Sequence, residues 1–414
     1  MKLQQAREEV VAAGKRLIEA GLIARTWGNV SARAGRDHFV ITPSGRAYEN
    51  LAPEEIVPVK IADGSYSGEI KPSSEKGIHV AVYRQRPEIN FIIHTHQAQA
   101  SAVSTLHRDI EINDPAAAEI TGSSLLPCAA YGLPGTKKLM RGVVAALSRS
   151  RGKAYLMANH GALCLGEERG DAFRVAAELE RLCAAYIMQR YLQLSGSEKG
   201  DWDDLRAYYL EHLSAGPSLK KEPAAGPLYS SEREKDQFHL YPGAGCGSPA
   251  GEAKRSRIAV ALDGRAGNKG FPPEAEVHRL IYRRYKGIGA IVHAAPPDIL
   301  TVSRTGRTVY PLLDDFTQIV GVSARSAAAG PLPEAAGAIA RKLRGRYAVM
   351  LEGRGALCCG PSGSDAAAAV QVLEKGCRAL IGAAFFGGAR PVNPVEARLM
   401  RFIYLAKYAR MAGE

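Results

Sequence analysis

Apolar positions recur at helical spacing through residues 3–20, with charged and polar residues between them, so the pattern predicts an amphipathic helix there. Glu75, His79 and Tyr83 fall at i, i+4 and i+8, which places them along one face of a helix over 75–86. The following NFIIHTH (90–96) is short, rich in isoleucine and bounded by polar residues, and it reads as a buried strand. YLMANHGALCLG (155–166) predicts two strands meeting at an Asn-His-Gly turn. DAFRVAAELERLCAAYIMQRYLQL (171–194) predicts a long amphipathic helix. The elements are mixed α and β.

The same pattern is written twice. Residues 75–104 align without a gap with residues 274–303, so that Glu75, His79, Tyr83, Arg84, Ile89, Ile92, His94, Val103 and Ser104 recur as Glu274, His278, Tyr282, Arg283, Ile288, Ile291, His293, Val302 and Ser303. YLMANHGALCLG (155–166) recurs as VMLEGRGALCCG (349–360) at nearly the same offset. Two colinear matches indicate a tandem duplication. Between the copies, SAGPSLKKEPAAGPL is rich in Pro, Gly and Ser and lacks apolar periodicity, which is a linker signature. The expected division is a first domain at 1–214, a linker at 215–227 and a second domain at 228–414.

Composition narrows the class. With 414 residues, 46% hydrophobic and 23% charged, the chain has ordinary globular cores and room for two or three domains. Every apolar stretch is interrupted before the roughly 18 residues a membrane helix needs. The first residues lack the apolar centre of a signal peptide and the last four, MAGE, are no prenylation signal, so a cytoplasmic protein without membrane attachment is expected. The seven cysteines are scattered without a CxxC pair, which reads as small core residues in a reducing compartment. The net charge of +12 is spread along the chain rather than gathered into a basic tract. That distribution argues against a nucleic-acid partner and suits a small anionic metabolite held at a local site.

His94 and His96 carry the strongest chemical signal. Residues i and i+2 of a strand project to one face, so both imidazoles enter one space. Such a pair holds a zinc-like metal in many sites, although surface histidines and hydrogen-bonded core pairs share the spacing. His160, in the Asn-His-Gly turn, is the candidate third ligand; three protein ligands leave a position open for water or substrate. Glu75 follows KPSS at a helix start, where it reads either as a helix-favouring acid capped by Ser73 or Ser74, or as a general acid/base. GNVS (28–31), TPSG (42–45) and KPSS (71–74) are turn-forming segments, or places where backbone N–H groups and hydroxyls hold phosphate.

Taken in order, GNVS, TPSG, KPSSE, HTH, LPCAAYG with GT, and NHG resemble the class II, zinc-dependent aldolase/adducin family, most closely its fuculose-1-phosphate aldolase-like members, over about residues 5–195. The resemblance implies tandem α/β/α domains, each around a mostly antiparallel central sheet. It implies one zinc per chain, held in the first domain by His94, His96 and His160. Glu75 matches the family's acid/base glutamate, and Gly28, Asn29, Ser44, Gly45, Ser73 and Ser74 match its phosphate-binding positions. The implied activity is cleavage or formation of a ketose 1-phosphate through an enediolate of dihydroxyacetone phosphate. Sugar-phosphate epimerase, dehydratase and adducin-like scaffold functions are the alternatives on the same fold.

Two departures matter. Family aldolases carry a tyrosine between the HxH strand and the Pro-Cys segment; here no tyrosine occurs between Tyr83 and Tyr131. In the second copy His293 is retained, but Ala295 and Arg354 stand at the other two histidine positions, and Pro272 and Pro273 replace the serines. That copy is expected to bind no zinc, and Arg354 offers a fixed cation in the ion's place. His79 and Tyr83 are expected to be structural. The resemblance also implies a homo-oligomer, and the duplication suggests a dimer of chains with quasi-fourfold symmetry.

Overall fold

The computed structural model describes residues 1–23, 27–214, 228–243, 257–263, 270–328 and 332–407. The linker expected at 215–227 and Cys246 lie outside the described residues. The chain divides into two compact units, Met1–Leu194 together with Phe386–Val392, and Ser195–Phe385 together with Asn393–Ala406. No helix among the described residues is long and apolar enough to cross a membrane.

Unit 1 opens with α1 (Leu3–Glu19), whose Ala6, Val10, Ala13 and Leu17 are fully buried, the stripe its spacing predicts. Then come β1 (Asn29–Ala34), β2 (His38–Ile41), β3 (Val57–Lys60), α2 (Lys76–Gln85), β4 (Phe91–Thr95) and α3 (Ala98–Ser104). The remainder is β5 (Ile110–Glu111), α4 (Pro115–Thr121), β6 (Leu125–Leu126), β7 (Cys128–Ala129), α5 (Lys137–Arg149), β8 (Ala154–Met157), β9 (Gly161–Gly166) and α6 (Arg169–Ser195). Seven strands form one sheet in the order β3-β2-β1-β4-β9-β8-β7, and β5 and β6 form a separate pair. Only β7 and β8 run parallel in the large sheet.

Cross-strand partners point to the same side of a sheet. Asn29 is opposite His94 and Ser31 is opposite Ile92, so these four share a face with Ile41, Val57, Leu163 and Leu165. That face is closed by α2 and α5 through Ile78, Val82, Leu139 and Val143, which makes the main core of the unit. α1 packs on β1 and β2, and α3 packs on β8 and β9. The stripe Glu75, His79, Tyr83 therefore lies along the stripe Asn29, Ser31, Arg33. His94 sits on the central strand, bonded on both sides, at the sheet end where α2 begins.

Unit 2 repeats the plan: its seven strands are ordered Ile258–Ala261, Gln237–Pro242, Tyr229–Glu234, Ala290–Ala294, Gly355–Gly360, Ala348–Leu351 and Arg325–Ala327. Again only the last pair is parallel. The six described cysteines are buried and free, as small core residues.

Candidate active site

Three segments from different parts of the fold meet at the end of β4. His94 is the fourth residue of that strand and His96 lies one residue beyond it. His160 closes the turn between β8 and β9, where Asn159 adopts a left-handed backbone (φ 54°) that asparagine tolerates. Two glycines allow this convergence. A side chain at Gly161 would collide with the Thr95 carbonyl, and one at Gly28 (φ 97°) would collide with the His94 carbonyl.

The three imidazoles form a metal-ligand constellation with their ring nitrogens within 4.8 Å of one another, a grouping found once among the described residues. His94 Nε2 lies 3.1 Å from His96 Nε2 and 3.0 Å from His160 Nε2. Tetrahedral zinc with bonds of about 2.05 Å separates its nitrogens by about 3.3 Å, so the set fits such an ion. His94 Nδ1–H donates to the Ala162 carbonyl at 2.8 Å, which fixes the tautomer and turns the Nε2 lone pair inward. The Glu75 carboxylate closes the fourth side, with Oε1 3.1 Å from His160 Nε2 and Oε2 3.3 Å from His94 Nε2.

Glu75 is the residue preceding α2, and it is buried. Burial by itself would push its carboxyl up, but the imidazoles of His160 and His94 pull the other way and hold it well below the usual carboxylate range. Burial holds His94 down to about 3 despite the carboxylate beside it. An ionised acid beside a neutral imidazole is the pair of protonation states that a base and a metal ligand require.

The three small segments also converge. Thr42 and Val30 exchange hydrogen bonds, joining TPSG to GNVS. Ser44 N–H donates to the Lys71 carbonyl at 2.9 Å and Ser73 N–H to the Thr42 carbonyl at 3.0 Å, joining TPSG to KPSS. Ser73 Oγ accepts from the Glu75 N–H at 3.3 Å, whereas Ser74 and Gly45 are exposed and Ser44 is half-buried. Asn29 is buried and donates from Nδ2 to Glu75 Oε2 at 2.9 Å. Gly28 contributes its carbonyl to the Tyr48 hydroxyl at 3.1 Å. The three segments thus place backbone and hydroxyl groups together at the positively polarised start of α2.

Several contributors were given no role in the site by the sequence pattern. Ser31 and His79 join Asn29 beneath Glu75; the signal was the serine and arginine spacing of NVSAR (29–33), which recurs in YSSER (229–233). His107 pairs with Asn159 Oδ1, and Asn159 Nδ2 donates to the Arg390 carbonyl at 2.7 Å, so residues far apart in sequence steady the turn that carries His160.

Unit 2 uses the equivalent positions differently. His293 Nε2–H donates to the Arg354 carbonyl at 2.8 Å, which occupies the nitrogen a metal would need. The Arg354 guanidinium lies 3.4 Å from buried Glu274. The fixed cation expected at Arg354 is thus already answered by a carboxylate.

Buried histidines in both units are expected to make the fold acid-sensitive. Burial holds His79 down to about 4, with Glu75 opposing, and holds His278 down to about 3, with His293 adding to the effect. Unfolded histidine titrates near 6.5, so the unfolded chain binds more protons between that pH and the folded values. The stability these rings contribute is complete above about pH 6.5 and is lost as pH falls towards 4 and 3. Each fully buried ring adds up to about 1.4 kcal/mol per pH unit. The urea midpoint of chelator-treated protein should therefore drop steadily between pH 7 and pH 5; a flat profile would remove these histidines from the balance.

The family description Class II Aldolase and Adducin N-terminal domain matches residues 8–187 and again residues 233–381. The chain is 36% identical over 192 residues to the 5-deoxy-D-ribulose 1-phosphate aldolase of Bacillus thuringiensis serovar kurstaki, covering 46% of this chain and 87% of that protein. It is 36% identical over 180 residues to a 5-methylthioribulose-1-phosphate/5-deoxyribulose-1-phosphate aldolase of Escherichia coli O45:K1, covering 44% and 82%. With the L-fuculose phosphate aldolase of Haemophilus influenzae it shares 32% identity over 187 residues, covering 45% and 84%.

Proposed function

Because the chain belongs to the class II aldolase and adducin family, we propose that unit 1 is a zinc-dependent aldolase, a carbon–carbon lyase that cleaves or forms a ketose 1-phosphate through the enediolate of dihydroxyacetone phosphate. The observation that carries this reading is the convergence of three Nε2 atoms and one ionised carboxylate at the end of β4. His94, His96 and His160 hold the ion. When bound, a zinc-like cation supplies Lewis-acid polarisation of the ketose carbonyl and positive charge opposite the enediolate oxygens.

The chain's own residues do the rest. Gly28, Asn29, Ser44, Gly45, Ser73 and Ser74 receive the phosphate at the start of α2, where the helix dipole favours an anion. Asn29 Nδ2–H occupies Glu75 Oε2, which leaves Oε1 to handle the proton. In the direction of bond formation Glu75 Oε1 removes a proton from the hydroxymethyl carbon of dihydroxyacetone phosphate; in cleavage it returns one to that carbon. Unit 2 is a silent copy, its histidine and arginine already committed to each other and to Glu274.

The test is direct. Purified full-length protein loaded with zinc is given L-fuculose 1-phosphate and 5-deoxyribulose 1-phosphate, and dihydroxyacetone phosphate is measured by coupled reduction. Release of that product from either substrate supports the proposal. An isomeric sugar phosphate instead would make it an epimerase, loss of water a dehydratase, and absence of turnover would return the adducin-like reading.

A further inference from the structure

A continuous buried hydrogen-bond chain runs from α2 back to Glu75. Tyr83 Oη lies 2.8 Å from Ser31 Oγ, and Ser31 Oγ lies 2.6 Å from His79 Nδ1. His79 Nε2 lies 2.5 Å from Asn29 Oδ1, and Asn29 Nδ2 lies 2.9 Å from Glu75 Oε2. Every group in it is buried. Its direction follows from chemistry, working back from the acid. An ionised carboxylate only accepts, so Asn29 must present its N–H₂ to Glu75 and its carbonyl to His79. His79 Nε2 must then carry the proton and Nδ1 must accept. Ser31 therefore donates to Nδ1, and Tyr83 donates to Ser31. The chain admits one arrangement of protons.

We infer that His79 is a positioning residue for Glu75: its Nε2–H locks the Asn29 carboxamide in the orientation that pins Oε2, so that Oε1 alone faces the reacting carbon. This rests on the acid/base reading of Glu75 given above. Without the ring the amide is free to rotate, and a turned amide would set its carbonyl against the carboxylate.

The second copy separates this role from a purely architectural one. Ser231 Oγ lies 2.7 Å from His278 Nδ1 and 2.9 Å from Tyr282 Oη, so the serine–histidine–tyrosine group is kept. Two residues before the serine, however, Tyr229 replaces Asn29. His278 Nε2 is fully buried without a hydrogen-bond partner, and Glu274 turns to Arg354 instead. The part of the relay shared by both units goes with the fold. The link from histidine through asparagine to the acid exists only where the metal ligands are complete.

The test uses the duplication as its own control, in full-length zinc-loaded protein. His79→Leu and His278→Leu remove the same serine–histidine–tyrosine bonds from equivalent cores, so both are expected to lower the melting temperature. Only His79→Leu should lower kcat, by roughly 30- to 100-fold, the scale at which a misplacement near 1 Å acts, with KM and zinc content little changed. His79→Gln, which offers one donor and one acceptor, should restore most of the rate. Nitrogen NMR of histidine-labelled wild type should show His79 as the Nε2–H tautomer. Equal kcat in the two leucine variants, failure of glutamine to restore it, or an Nδ1–H tautomer would overturn the inference while leaving an active aldolase. A wild type that cleaves no ketose 1-phosphate would instead overturn the reading of the site on which it rests.

Discussion

Replacing His96 with alanine is expected to lower zinc from about one per chain to a trace and to reduce kcat/KM at least 10³-fold. The magnitude follows from what the ion supplies. Lewis-acid stabilisation of a developing enediolate is worth several kcal/mol, and about 4 kcal/mol corresponds to three decades of rate. His96 is the informative ligand to remove because it lies just past β4 and is only half-buried, so its loss leaves the strand and the core intact. His94 is fully enclosed and bonded to Ala162, so its truncation would confound folding with binding. The matched change His293→Ala in unit 2 should leave zinc content and activity where they were. Metal content by elemental analysis, with melting temperature alongside, decides the matter: undiminished zinc in His96→Ala places the ion elsewhere, and a second zinc lost in His293→Ala would mean that both copies bind.

Glu75→Gln should be the other large loss, with kcat falling about 10²- to 10⁴-fold, the range assigned to a positioned acid or base. The substitution is nearly isosteric, and the amide oxygen still accepts from Asn29 Nδ2. Zinc should be retained at one per chain, because the three imidazoles are untouched. The split between a preserved ion and a lost rate distinguishes proton transfer from ligation. A variant that loses its zinc would make Glu75 chiefly a ligand. One that keeps its rate would move the proton to another group. Exchange of the carbon-bound hydrogen of dihydroxyacetone phosphate with deuterated water isolates the same step without the aldehyde partner, and it should fall in parallel.

Much of this site was legible before any coordinates. The i, i+2 spacing of His94 and His96 and the i, i+4, i+8 spacing of Glu75, His79 and Tyr83 are periodicities of strand and helix, and each put its residues on the right face. The Asn-His-Gly turn was equally plain, because asparagine and glycine mark a reversal by their backbone preferences. What periodicity does not encode is which stripe lies on which. That α2 would set His79 over Asn29 and Ser31 depends on the pairing of β1 with β4, a register fixed by packing across the sheet. His79 was for this reason expected to be structural. Ala295 and Arg354 stand in the sequence where the first copy has histidines, but the bond between the Arg354 carbonyl and His293 depends on a ring orientation that residue identities do not state. The contact of Asn159 with Arg390 spans more than two hundred positions, beyond the reach of any local pattern.

The place of His94 in the sheet has a consequence for how a cation bound there would come and go. Its strand is the fourth of seven, bonded to antiparallel neighbours on both edges, and its ring is tethered to Ala162. A strand so placed is expected to be among the last parts of the unit to open. His96 lies one residue past the end of that strand and is only half-buried. A cation held by His94, His96 and His160 would be expected to lose its bond to His96 before its bond to His94. Metal exchange in the folded protein should then outpace amide hydrogen exchange in the strand that carries His94, and equal rates would tie loss of the ion to opening of the sheet.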